Sequence, residues 1–279
     1  MIVCQNGVFL DNTQLVFGGS NRSFRYGDGF FESIRLVDGK ALFLSFHFDR
    51  ILETATFLKL VLPENFSLHY FEKLILDLAK ANTINKGGQV RFTFYREGGG
   101  FYLPESNRCS FFMEASPLAD NLFVFTSTGL KVGIFSQVPK QKGQLSNYKT
   151  NNALPYVLAS IYCKEQGLED SLLVNEDGNI VESTNSNVFV VMDKKLITPP
   201  LSEGCLNGVF RKRMIMFLKG RGVEVSERPI SPEEIREAEE ILLTNAIRGP
   251  RWAHGIGKGD SFHCQQWINW LNEDLLNLD

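Results

Sequence analysis

Four groups of residues in this chain have types and spacings that could do chemistry. Lys149 stands in Ser-Asn-Tyr-Lys-Thr-Asn-Asn, directly before an apolar helical pattern. A lysine desolvated beside a helix start, where the peptide dipole disfavours its charge, shifts toward the neutral amine that attacks carbonyls. Alone it would be one more solvated surface lysine. Glu182 lies in Glu-Ser-Thr-Asn-Ser-Asn-Val-Phe, at the exit of a turn and before a strand-like run. Alone it would be a surface carboxylate ending a hairpin. Leu206-Asn207-Gly208-Val209-Phe210-Arg211 opens a helix, and first-turn amides together with the dipole make an anion site. Arg50 shares a helical stripe with His47 and Thr54, and its guanidinium can grip a phosphate through two parallel bonds.

An amine, a carboxylate and a phosphate-sized glycine turn are together what pyridoxal 5'-phosphate asks of a protein. The amine forms a Schiff base with the aldehyde. The acid keeps the ring nitrogen protonated, so that the ring can accept electrons from a carbanion.

The elements that must position these groups can be read from periodicity. Val3 to Leu10 and Phe30 to Val37 read as strands, and Asp38-Gly39 turns into a further strand from Ala41 to Leu44. Ser45 is placed to cap a helix running to about Leu60, with Phe48, Ile51, Leu52, Ala55 and Leu58 on its apolar face. A helix over Phe71 to Ala81 and strands over Gln89 to Tyr95 and Arg108 to Ala115 follow. Residues 1–115 therefore form a smaller N-terminal α/β domain, residues 116–121 a linker, and residues 122–279 a larger C-terminal domain that carries the lysine. In that second part, Leu122 to Phe135 reads as strand. A helix after Lys149 spaces Leu154, Leu158, Ile161 and Tyr162 for burial. Ser171 to Val174, Val188 to Val191 and Glu240 to Thr244 are short strands, and Leu206 to Leu218 and Gln265 to Leu276 are helices. The irregular alternation favours an α+β or mixed α/β fold over a doubly wound Rossmann sheet. The Gly98-Gly99-Gly100 run has no helix after it and is weak evidence for a nucleotide site.

Composition narrows the class. The chain has 279 residues, 43% hydrophobic and 22% charged, with a formal net charge of -3. These values fit a soluble protein with no general attraction to nucleic acid or acidic membranes. No apolar run approaches the roughly 20 residues that span a bilayer, and Met1 to Asn6 lacks the basic region of a signal peptide. Five scattered cysteines read as reduced core thiols of a cytoplasmic protein. The four histidines, His47, His69, His254 and His263, have no ligand spacing, so no metal is expected.

The run from Glu182 to Arg211 resembles the signature of the class IV aminotransferases, the fold-type IV pyridoxal-phosphate enzymes. Glu182, Thr184, Asn187, Val188 and Phe189 meet its first part, Leu196 to Thr198 its second, and Leu206 to Arg211 its third. Tyr26-Gly27-Asp28-Gly29-Phe30-Phe31-Glu32 and His47-Phe48-Asp49-Arg50 resemble two further motifs of the family. The resemblance implies a two-domain fold like that of D-amino acid aminotransferase, with the cofactor between the domains. It also implies a homodimer whose partner contributes to the substrate pocket. Lys149 would be the Schiff-base lysine and Glu182 the partner of the ring nitrogen. Arg50 and the amides of Gly208, Val209 and Phe210 would clamp the phosphate, with Asn187, Asn245 and Ala246 also lining the cofactor.

Within the family, Lys149-Thr150-Asn151-Asn152 keeps a spacing seen in lyases and D-amino acid enzymes, and Asn245-Ala246 resembles 4-amino-4-deoxychorismate lyase, which eliminates pyruvate to give 4-aminobenzoate for folate synthesis. Phe31 with Glu32 resembles the branched-chain enzymes. Phe101 stands where D-amino acid aminotransferases, and often bacterial lyases, carry a second arginine. The alternative is therefore an aminotransferase acting on branched-chain or D-amino acids with a 2-oxo acid acceptor. Arg96, Arg248 and Arg251 are candidates for substrate carboxylates, and Phe31 and Tyr95 for the pocket wall.

Overall fold

In a computed structural model, residues 1–15 and 17–276 are described; Val16 of the expected first domain and residues 277–279 of the second lie outside the described residues. The chain divides into two compact units. One is Met1–Leu122 with Lys149–Asn152, and the other is Phe123–Tyr148 with the chain from Ala153 onward. The peptide carrying Lys149 thus groups with the first unit, whereas the sequence placed it in the second domain.

The first unit contains β1 (Ile2–Gln5), β2 (Val8–Asp11), α1 (Arg22–Tyr26), β3 (Gly29–Val37), β4 (Lys40–Ala41), α2 (Leu44–Phe57), α3 (Leu68–Ala81), β5 (Gly88–Arg96) and β6 (Cys109–Pro117). Its sheet runs β2-β1-β6-β5-β3-β4, and every pairing is antiparallel. Strict alternation on β3 sends Phe30, Ile34 and Leu36 into the core, where they meet Val90, Phe92 and Phe94 of β5 and Phe71, Ile75 and Leu78 of α3. Phe30 and Phe94 stack with centroids 4.6 Å apart.

Several boundaries differ from the sequence reading: α3 starts at Leu68, β6 runs to Pro117 inside the expected linker, and two elements change in kind. Val3 to Leu10 is a hairpin, because Asn6 and Gly7 both have positive φ (50° and 87°), the requirement of a tight two-residue turn. The strand expected over Ala41 to Leu44 stops at Ala41. α2 then begins at Leu44 behind a left-handed Phe43 (φ 54°) with no side-chain cap, so Ser45 sits inside the first turn.

The second unit contains β7 (Leu130–Lys140), α4 (Leu154–Gln166), β8 (Asp170–Asn175), β9 (Ile180–Ser183), β10 (Asn187–Met192), β11 (Lys195–Thr198), α5 (Val209–Gly220), β12 (Val225–Glu227), α6 (Pro232–Arg236), β13 (Glu240–Asn245), β14 (Gly249–His254) and α7 (Phe262–Leu276). Its strands run β12-β11-β10-β13-β14-β7-β8-β9, and β9 pairs again with β10 through Glu182 and Asn187. The sheet therefore closes on itself, and the closure sets these two side chains at neighbouring positions. Strands β8 to β10 are buried almost throughout; β10 reads as a nearly continuous apolar run, while β8 and β9 bury polar residues at their ends.

The expected burial on α4 is turned round. Leu154 is 73% exposed, and Val157, Leu158 and Ile161 are also exposed. Ala159 and Cys163 are the residues that bury, with Tyr156 and Tyr162 packed beside them against Phe135, Leu173 and Val181. Small side chains let the helix approach the sheet closely, and the larger aliphatics are left outside. Among the described residues, no helix is long and apolar enough to cross a membrane.

Candidate active site

In the first unit the helical stripe His47, Arg50 and Thr54 is buried rather than solvated, and it faces Glu32 of β3. Arg50 donates from Nε to Glu32 Oε1 at 2.7 Å and from Nη2 to Oε2 at 2.5 Å; His47 Nδ1 lies 2.6 Å from Oε2. Burial alone would raise the Glu32 carboxyl, but the Arg50 charge and the His47 contacts outweigh it and hold it at about 2. Burial lowers His47 against the pull of Glu32, so the imidazole is neutral, donates through Nδ1 and leaves Nε2 without a partner. The guanidinium is thus locked from one side by a bidentate carboxylate. Sequence reasoning gave Glu32 no structural role. The signal was available, since Glu32 occupies the inward register of Phe30, Ile34 and Leu36, where a carboxylate needs a partner.

Lys149 does not sit at a helix terminus, because α4 starts only at Leu154. Its peptide pairs with the start of β3: Phe31 N donates to Lys149 O at 2.9 Å and Asn151 N to Gly29 O at 3.0 Å. A Cβ at Gly29 would stand 2.2 Å from Phe94 O and 2.7 Å from Asn151 Nδ2, so only glycine admits this peptide. Gly27 (φ 64°) closes α1 and accepts a bond from Asn152. The Tyr-Gly-Asp-Gly run is therefore the seat of the lysine segment. The Lys149 ammonium lies 4.4 Å from the centre of the Phe31 ring.

The other first-unit candidates are engaged elsewhere. Arg96 was expected to meet a substrate carboxylate. Its Nε instead bonds the Asp28 carboxylate, its Nη1 bonds Lys59 O and Asn107 Oδ1, and its Nη2 bonds Leu58 O. With nearly all its donors used inside the unit, it holds the β5 end rather than awaiting a ligand. Tyr95 is buried, and its hydroxyl accepts from Gln5 Nε2 at 3.1 Å.

In the second unit Glu182 is 3% exposed, not a surface residue. Its Oε1 accepts from the Lys140 ammonium and from the Tyr156 hydroxyl (2.7 Å), and its Oε2 from the Leu206 amide (2.8 Å). Burial, then the Glu182 charge, push the Tyr156 phenol well above its usual 10, which keeps it a donor. Lys140 and Tyr156 escaped the sequence reading, since nothing in their local sequence marks them. Asn187, brought beside Glu182 by the sheet closure, donates to Leu206 O at 2.8 Å. A Cβ on Gly208 would fall 2.0 Å from Asn187 Oδ1. Gly208 is the N-cap of α5, whose first turn, opening with Val209 and Phe210, has no side-chain cap. Such a turn is a ready anion cradle.

Asn245 works within its own loop. Its Oδ1 accepts from Ile247 N (3.0 Å) and Arg248 N (2.8 Å), and its Nδ2 bonds Ser186 Oγ at 3.0 Å. This turn, through Ala246, presents the exposed Arg248; Arg251 lies further on, within β14, where its Nη2 reaches Asn185 Oδ1 at 3.2 Å and its buried Nε has no partner. Among the described residues no group of three or more His, Cys, Asp or Glu is placed to hold a metal ion.

The profile of the amino-transferase class IV family matches residues 29–253, a span that contains Glu32, Arg50, Lys149, Glu182 and Gly208. The chain belongs to the class IV aminotransferase family. These are pyridoxal-phosphate enzymes, and this chain is one of them. It is 28% identical over 249 residues (88% of the chain, 84% of the relative) to a Methanocaldococcus jannaschii protein assigned as a branched-chain-amino-acid aminotransferase. It is 25% identical to the aminodeoxychorismate lyase of Vibrio harveyi, covering 85% of this chain and 86% of the relative. Its mixed α/β, fold-type IV architecture is shared with the holo branched-chain amino acid aminotransferase of Thermobaculum terrenum, at a TM-score of 0.86 and 20% identity over 100% of this chain and 94% of that one. The residues present fit the cofactor. The uncapped turn at Gly208, where a side chain has no room, suits a phosphate, and the buried Glu182 carboxylate suits a protonated ring nitrogen.

Proposed function

We propose that this class IV enzyme is a 4-amino-4-deoxychorismate lyase. The observation that carries the reading is the Asn245 turn. Asn245-Ala246 stands where the resemblance gives transaminases a small hydroxyl residue, and here its side chain folds the turn that bears Arg248 and leads into β14 with Arg251. Two cations close in sequence, one on the turn and one on the strand, suit a substrate with two carboxylates, and the unmatched Arg251 Nε supplies a buried donor for one of them.

When bound, pyridoxal phosphate supplies an aldehyde for the substrate amine and a ring that accepts electrons. Lys149 would be the Schiff-base lysine, and its Nζ as a free amine would be the general base for the proton on the amine-bearing ring carbon of the substrate. The Glu182 carboxylate would hold the ring nitrogen. Arg50, kept in place by Glu32, and the amides of Val209 and Phe210 at the head of α5 would hold the phosphate. Phe31 lies against Lys149 and forms part of the wall beside it. Loss of the proton lets the ring expel pyruvate, and aromatisation to 4-aminobenzoate drives the step.

The protein acts as a homodimer in the cytoplasm on this reading, with 4-aminobenzoate destined for folate. The exposed stripe Leu154, Val157, Leu158 and Ile161 on α4 supports a partner surface. All five cysteines are buried and unpaired, which suits a reducing compartment.

The test is an assay with 4-amino-4-deoxychorismate and no keto acid. Release of pyruvate and 4-aminobenzoate is the expected result. No product, together with conversion of the cofactor to its amine form by branched-chain L-amino acids or D-alanine, would make the enzyme an aminotransferase.

A further inference from the structure

The Glu182 carboxylate has an occupant that the roles above do not use. Lys140 ends β7, just after a break in register against β8, and its side chain is 8% exposed. The ammonium bonds Glu182 Oε1 and Ser146 O (3.2 Å) and lies 5.4 Å from the centre of the Tyr156 ring. Neither charge can leave this place without stranding the other in a buried site. Lys140 and Tyr156 fill Oε1, while Oε2 carries the Leu206 amide alone. A carboxylate offers about four acceptor positions, so one remains on Oε2 for a further N–H.

We propose that Lys140 is a positioning residue for the cofactor ring, a fixed cation that shares Glu182 with the ring nitrogen and limits how far that nitrogen is protonated. The inference rests on the assignment of Glu182 to the ring nitrogen. A protonated ring nitrogen brings a positive charge to a carboxylate whose own charge is already balanced. A second cation on one anion is held less firmly than the first, so the nitrogen releases its proton at lower pH than it would against an unpaired glutamate. Lys140 thereby moderates the strength of the electron sink that Glu182 would otherwise sustain. It touches neither the substrate nor the reacting atoms and acts through Glu182 alone.

The experiment follows the ring nitrogen itself. The holoenzyme is loaded with pyridoxal phosphate carrying 15N in the ring, and the 15N resonance is titrated with pH in the wild type, K140M, K140R and E182Q. The K140M midpoint is expected to rise by about one pH unit or more, at least a tenfold change in the protonation ratio. K140R should keep the wild-type midpoint, and E182Q should leave the nitrogen unprotonated throughout. Lys140→Gln, which keeps hydrogen-bonding capacity without the charge, gives the same readout should K140M not fold. A midpoint unchanged or lowered in K140M, with E182Q behaving as expected, overturns the role of Lys140 alone. An E182Q titration identical to the wild type overturns the assignment of Glu182 and the inference with it.

Discussion

Glu32 in the first unit and Glu182 in the second are both buried glutamates, 1% and 3% exposed, yet their surroundings differ in kind. Glu32 meets only side chains that serve as its permanent partners, Arg50 on both oxygens and His47 on one. Glu182 has a cation and a phenol on one oxygen and a single backbone amide on the other. Each acid accepts three bonds, two on one oxygen and one on the other, so the number of partners does not separate them. The identity of the donors does: a guanidinium spans both oxygens of Glu32, whereas the less occupied oxygen of Glu182 meets only a backbone amide. A carboxylate clamped across both oxygens by one side chain reads as scaffold, and one with an oxygen outside any such clamp can take a ligand.

The comparison can be broken most sharply at Glu32. Glu32→Ala would leave the Arg50 guanidinium buried without its countercharge, and removing one member of a buried pair costs about 3–5 kcal/mol. Urea denaturation of the cofactor-free protein should show a loss of that size. The same pair sets an acid limb. Glu32 is depressed from 4.5 to about 2, so its contribution is complete above pH 4.5 and is lost as pH falls toward 2. His47 is lowered from 6.5 in the fold, so stability also declines as pH falls through 6.5. Glu32→Gln should remove the part of the slope between pH 4.5 and 2; an unchanged slope would mean that Glu32 is not ionised in the fold.

A smaller effect is expected at the phosphate cradle. Gly208→Ala puts a methyl group 2.0 Å from Asn187 Oδ1, an overpacking that costs about 1–3 kcal/mol. Asn187 must then release Leu206 O or α5 must move, so cofactor affinity should fall together with thermal stability. Loss of stability without loss of affinity would separate the cradle from the phosphate.

How legible these features were follows from how local their causes are. Gly208 could be singled out because a glycine turn and a helix start are written in neighbouring residues, whereas the helix start expected beside Lys149 comes only at Leu154. The strands β3, β5 and β13 were readable for the same reason, through alternation and bounding turns. The partners of each site residue were not. Lys140 and Tyr156 reach Glu182 across 42 and 26 positions of sequence, and only the β7-β8-β9 pairing and the packing of α4 on it bring them there. Arg96 shows the converse. Its strand was found, but its engagement with Asp28, Leu58, Lys59 and Asn107 depends on how α1 and the end of α2 meet β5. The face of α4 was misjudged because spacing identifies a stripe of large apolar residues without saying whether the sheet takes that stripe or the small one beside it.

The most direct measurement compares the affinities of pyridoxal phosphate and of pyridoxal, which lacks the phosphate, for the wild type, Arg50→Ala and Glu182→Gln. Arg50 is assigned to the phosphate and Glu182 to the ring. Arg50→Ala should therefore remove most of the preference for the phosphorylated form, about 10- to 100-fold for a lost charge-assisted pair of about 1.5–3 kcal/mol. Glu182→Gln should weaken both compounds by a similar factor and leave the preference intact. A phosphate preference that survives Arg50→Ala and disappears in Glu182→Gln would contradict the division of labour between the two glutamate sites.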